Sequence, residues 1–445
     1  MLIDEFFRKR FVHYASYDNI RKISSYVDGL KNASRKVTYT ILEKNIKSEI
    51  KVSQLGSKVA EFSEYLHGNL DGTIVGMAQN FTGSNNLPLL AREGNFGTRF
   101  ISEASASRYI YTHGSDEFFA LFSKDDTPNL TKQYFEGAEI EPLFYVPTLP
   151  LLLINGNEGV SSGFAQKILP RSTSKVIKAL KTTLSGKTPS KTAFIPYYEG
   201  FKGEIVAGDN EGQWHIKGAF KRVSKTKLEI TEIPVGLDLK DYISILNSLE
   251  EKKIIRAFDD KSEGDTFSFL VSVDSEFLNM DDDVILEKLK LIKKVTENYT
   301  AINEKNKIVL FGSDMDIYNS YVTIKLDYMK RRKEYLLDKI AKNIKINASK
   351  YIFINGIIKG DIIINNKPKA DIIKQLESND KILMLEDSYD YLLRMPLYSA
   401  TKEKMLELKE TIQSLKAELE ELKARSIEEM WLSDIEAFEK LSKKK

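Results

Sequence analysis

The 445-residue sequence predicts an α+β multidomain chain in three parts: a winged helix-turn-helix domain over 1–145, an α/β domain over 146–315, and an antiparallel coiled coil with a small helical tip over 316–445. Three observations predict it. Short amphipathic stretches lead into a glycine-bracketed turn at Gly94–Gly97, period-two strands alternate with helical segments between 200 and 310, and heptad spacing runs from Met405 to Leu422. A chain of this length also exceeds what one hydrophobic core sustains, so several domains are expected.

In the first part, Ala33–Leu42 sets Val37, Tyr39, Ile41 and Leu42 beside Arg35 and Lys36, giving one face that packs and one that can meet phosphates. A second helix is expected over about Ser57–Leu66. A third begins near Asp71, where Asn69 or Asp71 can cap the free amides. The glycines of Gly94-Asn95-Phe96-Gly97 then turn an expected hairpin, the wing, and the third helix is the one such a fold offers to the major groove.

The second part opens on the apolar run Leu149–Ile154, expected to be a buried strand, followed by a glycine-rich loop, Asn155–Gly163. Glu204–Val206, Trp214–Ile216 and Lys227–Ile230 alternate as strands; helices are expected at Leu239–Glu250 and Val284–Lys294. Asp281-Asp282-Asp283 has a metal-binding look, but carboxylates ahead of a helix more often favour its positive end.

The third part presents Met405, Leu408, Ile412, Leu415, Leu419 and Leu422 at alternating spacings of three and four, with Lys and Glu between. An earlier helix, Ile317 to about Ile346, can pair with it as a rod of about 45 Å for thirty residues. Residues 350–400 make the tip, with Leu392–Leu397 leading into the return helix, and Lys443–Lys445 reads as a solvated tail.

Composition narrows the chemistry. Zero cysteines exclude disulfides, thiolate catalysis and cysteine-held metals, and four histidines, His13, His67, His113 and His215, carry whatever imidazole chemistry exists. Neither a membrane-length apolar run nor a signal peptide is evident, so cytoplasm is the expected location. The net charge of +2 is too small to argue for nucleic acid. Its distribution says more: through Tyr109 there are fifteen Lys and Arg against eleven Asp and Glu, which permits a basic N-terminal surface.

One dipeptide has reactive potential. Arg108-Tyr109 follows the small-residue run Ala104–Ser107; an arginine fork suits phosphate oxygens and a tyrosine hydroxyl can attack phosphorus. Alone it would read as ordinary packing. Its neighbours give it context: Asp28-Gly29-Leu30-Lys31 precedes a basic helix, Tyr65-Leu66-His67-Gly68 precedes Met77-Ala78-Gln79-Asn80-Phe81, and Gly94-Asn95-Phe96-Gly97 precedes Arg108-Tyr109. In this order and spacing the motifs resemble the breakage-reunion subunit of type IIA DNA topoisomerases. The brevity of the chain is most similar to the medium subunit of the T-even phage enzymes.

The resemblance implies a DNA-cleaving and rejoining subunit of a heteromeric, ATP-dependent enzyme. Tyr109 would form a transient 5′-phosphotyrosyl link during a double-strand break made for strand passage, and Arg108 would steady the phosphate charge. His67 matches the family's histidine-bearing turn, where its role as general base, transition-state donor or DNA contact stays open; Leu66 departs from the two-histidine form. Arg21, Lys31, Arg35 and Lys36 align with basic positions that grip DNA. Val160 stands where relatives place an apolar wedge, usually isoleucine, that kinks the duplex. Residues 146–315 would be the tower, and the coiled coil with its tip the exit gate, closed by two copies.

Neither a Walker loop nor an acidic cluster in the N-terminal domain is evident, and the resemblance implies that Mg2+ and ATP both bind a partner, the ATPase/TOPRIM large subunit. The remaining implied partners are double-stranded DNA and a second copy, with no membrane, and the location is host cytoplasm if the chain is phage-encoded. No propeller-like repeat follows the coiled coil, so active negative supercoiling is not expected. The rival reading is a non-catalytic winged-helix and coiled-coil DNA-bridging protein. It explains the basic surface and the heptads equally well, but not Arg108-Tyr109 in its surroundings.

Overall fold

Helices fill the first eighty residues because their apolar side chains recur at helical spacing and bury one face. In the computed structural model, which describes residues 3–396 and 401–443, α1 (Ile3–Phe6) continues through a π turn into α2 (Val12–Lys22). A tight turn at Asp28–Lys31 then starts α3 (Asn32–Glu43). Only glycine serves at position 29: its φ is +68°, and a Cβ would stand 2.5 Å from the backbone nitrogen of Leu152. Leu55 and Val59 turn α4 (Val52–Phe62) inward, and Ile74 and Met77 do the same for α5 (Asp71–Ala78). The second helix thus starts and stops about one turn earlier than the sequence suggests, because Ser63 leaves the helix and Glu64 takes a φ of 50°. The N-cap of α5 is Leu70, and Asn69 just before it accepts the amide of Asp71 on its Oδ1 at 2.7 Å.

The wing is not a hairpin turned at Gly94–Gly97. Strand β1 (Ile50–Lys51) pairs with β2 (Tyr111–Thr112), Glu93 bridges to Tyr111, and everything from Gly94 to Ile110 is an irregular excursion between them. After α6 (Asp116–Leu121), capped by Ser115, comes the hairpin of β3 (Gln133–Phe135) and β4 (Ala138–Ile140).

The apolar run at 149–154 is buried as expected but forms a helix, α7 (Leu151–Asn155), instead of a strand. Leu151, Leu152, Leu153 and Ile154 are shielded on every side, so no periodicity betrays the conformation. The loop after it is also ordered. Strands β5 (Asn157–Ser161) and β6 (Phe164–Ile168) pair in register, Val160 opposite Ala165. Helix α8 (Thr173–Leu184) follows.

Two antiparallel sheets come next. One has the order β13-β8-β7, from β7 (Glu204–Ala207), β8 (Gln213–Lys217) and β13 (Ile292–Thr296); the other has the order β11-β12-β10-β9, from β9 (Ala219–Ser224), β10 (Lys227–Glu232), β11 (Ala257–Asp260) and β12 (Phe269–Ser272). Alternate residues Leu228, Ile230, Phe269 and Val271 meet Tyr242 and Leu246 of α9 (Leu239–Glu251), whose first turn carries an Asp238–Asp241 capping box. Beyond α10 (Ser275–Leu278), α11 (Asp282–Lys288) ends six residues sooner than expected. Lys290 has a φ of 58°, and Ile292 onward joins β8 as an edge strand. The aspartates in the first turn of α11 are already paired: Asp282 with Arg222 at 2.7 Å and Asp283 with Lys217 at 2.6 Å. Hairpin β14 (Thr300–Ile302) and β15 (Ile308–Leu310) closes this region.

Helix α12 (Asp314–Lys359) is 46 residues long, about 69 Å at 1.5 Å per residue. Two compact units partition the chain, Met1–Lys325 with Leu432–Lys445, and Leu326–Trp431. In the second unit, α13 (Lys369–Glu377) and α14 (Asp390–Leu393) enclose a small core of Phe353, Ile362, Leu376, Ile382, Tyr389 and Leu392. On α15 (Lys402–Ala424), Leu408 is buried and the other heptad residues are half-buried, while Lys and Glu between them are exposed. Lys333 of α12 donates to the carbonyls of Lys423 and Arg425, at 3.0 and 2.5 Å, where α15 ends. A further helix, α16 (Ile427–Ser442), was not expected. Its start is written in Ser426 and Glu429, which exchange side-chain-to-amide bonds at 3.0 and 2.8 Å. Leu397, and Lys444 with Lys445 of the expected tail, lie outside the described residues. No helix among those described is long and apolar enough to cross a membrane.

The first unit is pinned by a buried ion pair. All five N–H donors of Arg171 are used: Nε on the Phe194 carbonyl (2.7 Å), Nη1 on Leu169 (2.5 Å) and Glu297 (2.8 Å), Nη2 on Glu297 (2.9 Å) and Asp314 (2.8 Å). Burial pulls the guanidinium pKa down, and the carboxylates of Glu297 and Asp314 more than reverse that, leaving it raised. Removing one side of such a pair strands the other charge, at about 3–5 kcal/mol. Arg171→Met should therefore lower the free energy of urea unfolding by about 3–5 kcal/mol, whereas a change within about 0.5 kcal/mol would show that the network contributes no more than an exposed pair.

Candidate active site

Tyr109 stands on a short segment held at both ends. The α4 amides of Val52 and Ser53, which a helix start leaves without partners, are taken by the carbonyls of Ile110 (3.0 Å) and Ser107 (3.3 Å). Glu93 and Tyr111 exchange both backbone bonds, at 3.0 and 2.9 Å, and Thr112 Oγ1 donates to the Ala91 carbonyl at 2.7 Å. Ile110 is buried, so the residues between these anchors are pushed out. Tyr109 is 68% exposed, its amide closing a turn onto Ala106 at 2.9 Å, and the exposed Arg108 guanidinium lies 5.0 Å from its ring centre.

The excursion leading to this pair is shaped by the motif residues themselves. Gln79 Nε2 spans it, donating to the carbonyls of Phe96 (2.9 Å) and Ser102 (3.1 Å). Asn95 accepts the Gly97 amide on its side chain (2.9 Å) and the Ser105 amide on its carbonyl (3.0 Å). At Gly97, φ is +90° and a Cβ would stand 2.5 Å from the Ser102 oxygen, so a side chain there would break the loop. Arg99, which sequence reasoning passed over, is buried and donates to the carbonyls of Ile233 (3.0 Å), Pro234 (3.2 Å) and Leu237. Burial draws its pKa down, with Glu232 and Asp238 opposing.

A second feature is the β5–β6 hairpin. Val160 near its turn is 72% exposed. The hairpin lies against α2 so closely that a Cβ on Gly159 would stand 2.3 Å from the Lys22 carbonyl oxygen. Asp18 fastens the turn, accepting from Ser161 Oγ (3.0 Å), Ser162 N (3.1 Å) and Ser162 Oγ (2.9 Å) while paired with Lys22 at 2.9 Å. The lysine bond first, and the two serines with it, hold its carboxyl at about 2, below the ordinary 3.8. Lys31 Nζ donates to the Glu158 carbonyl at 2.7 Å; burial lowers its pKa and the Glu158 charge opposes this.

The other expected site residues divide. Arg21 is half-buried, its guanidinium 5.4 Å from the ring centre of Tyr17. Arg35 and Lys36 are not on an open phosphate-facing surface. Arg35 is buried on both oxygens of Asp28 (2.7 and 3.1 Å) and the Leu30 carbonyl, and Lys36 is buried on Glu141 (2.7 Å) and the Ser63 carbonyl (2.5 Å). Their acidic partners lie 7 and 105 residues away, so local sequence marks them only as basic. His67 is exposed. Tyr65 closes onto Ala60 at the far end of α4, and the partner of His67 Nε2 is the Tyr17 hydroxyl, at 2.5 Å. Among the described residues no group of three or more Asp, Glu or His gathers as a metal site.

An exposed phenol flanked by arginine, on a loop clamped by Gln79, Asn95 and Gly97, together with an apolar-tipped hairpin, is a set that sequence comparison can test. The sequence model for the DNA gyrase/topoisomerase IV A subunit matches residues 21–436. The chain belongs to this family. Topoisomerase relatives align along nearly all of it: the mitochondrial DNA topoisomerase 2 of Dictyostelium discoideum is 32% identical over 99% of this chain and 35% of its own length, and DNA topoisomerase 2-alpha of Gallus gallus 34% identical over 98% and 30%. The chain thus spans about a third of the length of these curated relatives. A crystal structure described as the Plasmodium falciparum topoisomerase II DNA-binding, cleavage and re-ligation domain superposes with a TM-score of 0.89 at 31% identity, covering 99% of this chain and 64% of that one. The mixed α/β architecture is that of this topoisomerase domain, and the relatives named are eukaryotic.

The Asp18 fastening has a pH signature. A carboxyl depressed in the folded state stabilises above its ordinary pKa and loses that contribution as pH falls through the depressed value. The stability difference between wild type and Asp18→Asn should be full at pH 5 and close as pH falls from 3.8 toward about 2. A difference that stays constant across that window in urea titrations would show that Asp18 does not hold the hairpin as a carboxylate.

Proposed function

We propose that the chain is the DNA-cleaving and rejoining subunit of an ATP-dependent type IIA topoisomerase, acting through Tyr109. The observation that carries this reading is the exposed phenol projecting from a segment fixed at Ser107 and Ile110, with Arg108 against its ring. The phenol oxygen attacks a backbone phosphorus in line; the tyrosyl O–P bond forms as the P–O3′ bond breaks, the phenol gives up its proton, and the departing 3′ oxygen takes one. One phosphodiester replaces another, so the step is near-isoenergetic and reversible. Arg108 donates to the non-bridging oxygens, a role whose loss typically costs about 10² to 10³ in rate. One tyrosine severs one strand, so a double-strand break needs a second copy.

Topoisomerases of type II generally use Mg2+ and ATP. No group of three or more Asp, Glu or His gathers as a metal site among the described residues, and on this reading both belong to an ATPase/TOPRIM partner chain. On this reading 1–145 is the cleavage domain, 146–315 the tower and 316–445 the coiled coil and dimerising gate. Arg21 and Lys31 are the basic positions left to meet phosphates, and Val160 is the wedge. Within the family, the likeness to the T-even phage medium subunit belongs to the same proposal and rests on sequence resemblance.

Two measurements test it. With the partner chain and Mg2+ present, Tyr109→Phe should bind duplex DNA as wild type does and yield no covalent adduct when cleavage is trapped with denaturant and protease; undiminished phosphotyrosyl DNA in the mutant would rule the assignment out, and an intact duplex with the wild type under those conditions would favour a DNA-bridging protein. Val160→Ala should reduce DNA bending measured by end-to-end fluorescence transfer, since a methyl side chain does not unstack a base step. Equal bending would remove Val160 from the interface.

A further inference from the structure

We infer that Tyr17 is the positioning residue for His67, fixing the imidazole so that Nδ1–H is the donor it offers to a DNA phosphate oxygen. This rests on the DNA-cleaving reading and selects among the three roles left open for His67. The two rings are 50 residues apart in sequence and joined by a 2.5 Å contact between the Tyr17 hydroxyl and His67 Nε2. A phenol O–H is a stronger donor than a neutral imidazole N–H, and an imidazole nitrogen accepts more strongly than a phenol oxygen, so the hydrogen lies between them as O–H···N. With its Nε2 lone pair so used, the neutral ring carries its proton on Nδ1. It cannot then take the Tyr109 proton through Nε2, and what remains to present outward is a donor.

The surroundings hold this geometry. Tyr17 and Arg21 share one face of α2, one turn apart, with the guanidinium 5.4 Å from the Tyr17 ring centre. Tyr65 meets the imidazole edge-on, centroids 5.9 Å apart and planes at 71°, while Tyr17 is tilted at 6.0 Å. Asp18 and Lys22, the nearest other charges on α2, are turned to each other and to the hairpin. Both Tyr17 and His67 remain exposed, so the cluster is an open surface that joins an imidazole donor to the Arg21 cation. That pairing suits one phosphodiester.

The test uses the full chain labelled with 15N-histidine, whose four histidines make the spectrum assignable, with His67→Gln identifying the resonance. In wild type the His67 nitrogens should report the Nδ1–H tautomer, and adding duplex DNA should shift Nδ1. In Tyr17→Phe the proton should move toward Nε2. Duplex affinity gives the second readout. Tyr17→Phe and His67→Ala should each weaken binding severalfold, and the double substitution no more than His67→Ala alone, because the tyrosine acts through the histidine. An Nε2–H tautomer in wild type, or losses that add, would overturn the inference while leaving Tyr109 chemistry untouched. Wild-type protein that fails to bind the duplex would overturn both.

Discussion

Arg171 and Glu297 form the contact on which the first unit most depends. Glu297 accepts from the Leu169 amide, Arg171, the Trp214 indole and the Tyr299 hydroxyl, so one carboxylate ties the end of hairpin β5–β6 to strand β8 and the approach to β14. Asp314 extends the same cluster to the first residue of α12. A charge pair buried this deeply is costly to desolvate, and its value lies in being satisfied at one arrangement only. Segments far apart in sequence are thereby given one relative position.

The N-terminal part of the chain repeats that device with other residues. Asp28 accepts from Nε and Nη2 of Arg35 and from the amides of Leu30 and Tyr145, fastening the turn at Asp28–Lys31 to the segment leading toward α7. Asn86 donates to three carbonyls, of Ile154, Arg171 and Tyr197, from three separate segments. Arg99 performs the same service for the wing, reaching the carbonyls that follow β10. The buried polar side chains of this molecule therefore act largely as fasteners of backbone, whereas Arg108 and Tyr109 face outward.

Much of this was legible in the chain. The strands at 204–206, 214–216 and 227–230 show plain alternation, and the heptads at 405–422 are the residues α15 shields. Motif residues were visible too, although their work is local: Gly29, Gln79, Asn95 and Gly97 shape backbone. Failures have physical causes. A run buried on all sides, such as 151–154, carries no period to tell helix from strand. Arg35 and Lys36 look like surface cations until Asp28 and Glu141 are brought to them by the fold. Helix α16 had a readable start in Ser426-Ile427-Glu428-Glu429, hidden by the expectation that the heptads ran on to a tail.

The residues on either side of Arg108 and Tyr109 are fixed to the first turn of α4 by their carbonyl oxygens, not merely by side chains. The phenolic oxygen consequently has only its own two side-chain torsions for a leash. Any strand esterified to it would hang from a helix and a sheet edge instead of a slack loop, and tension along the severed end would pass straight into the body of the protein, keeping the broken terminus in place for resealing.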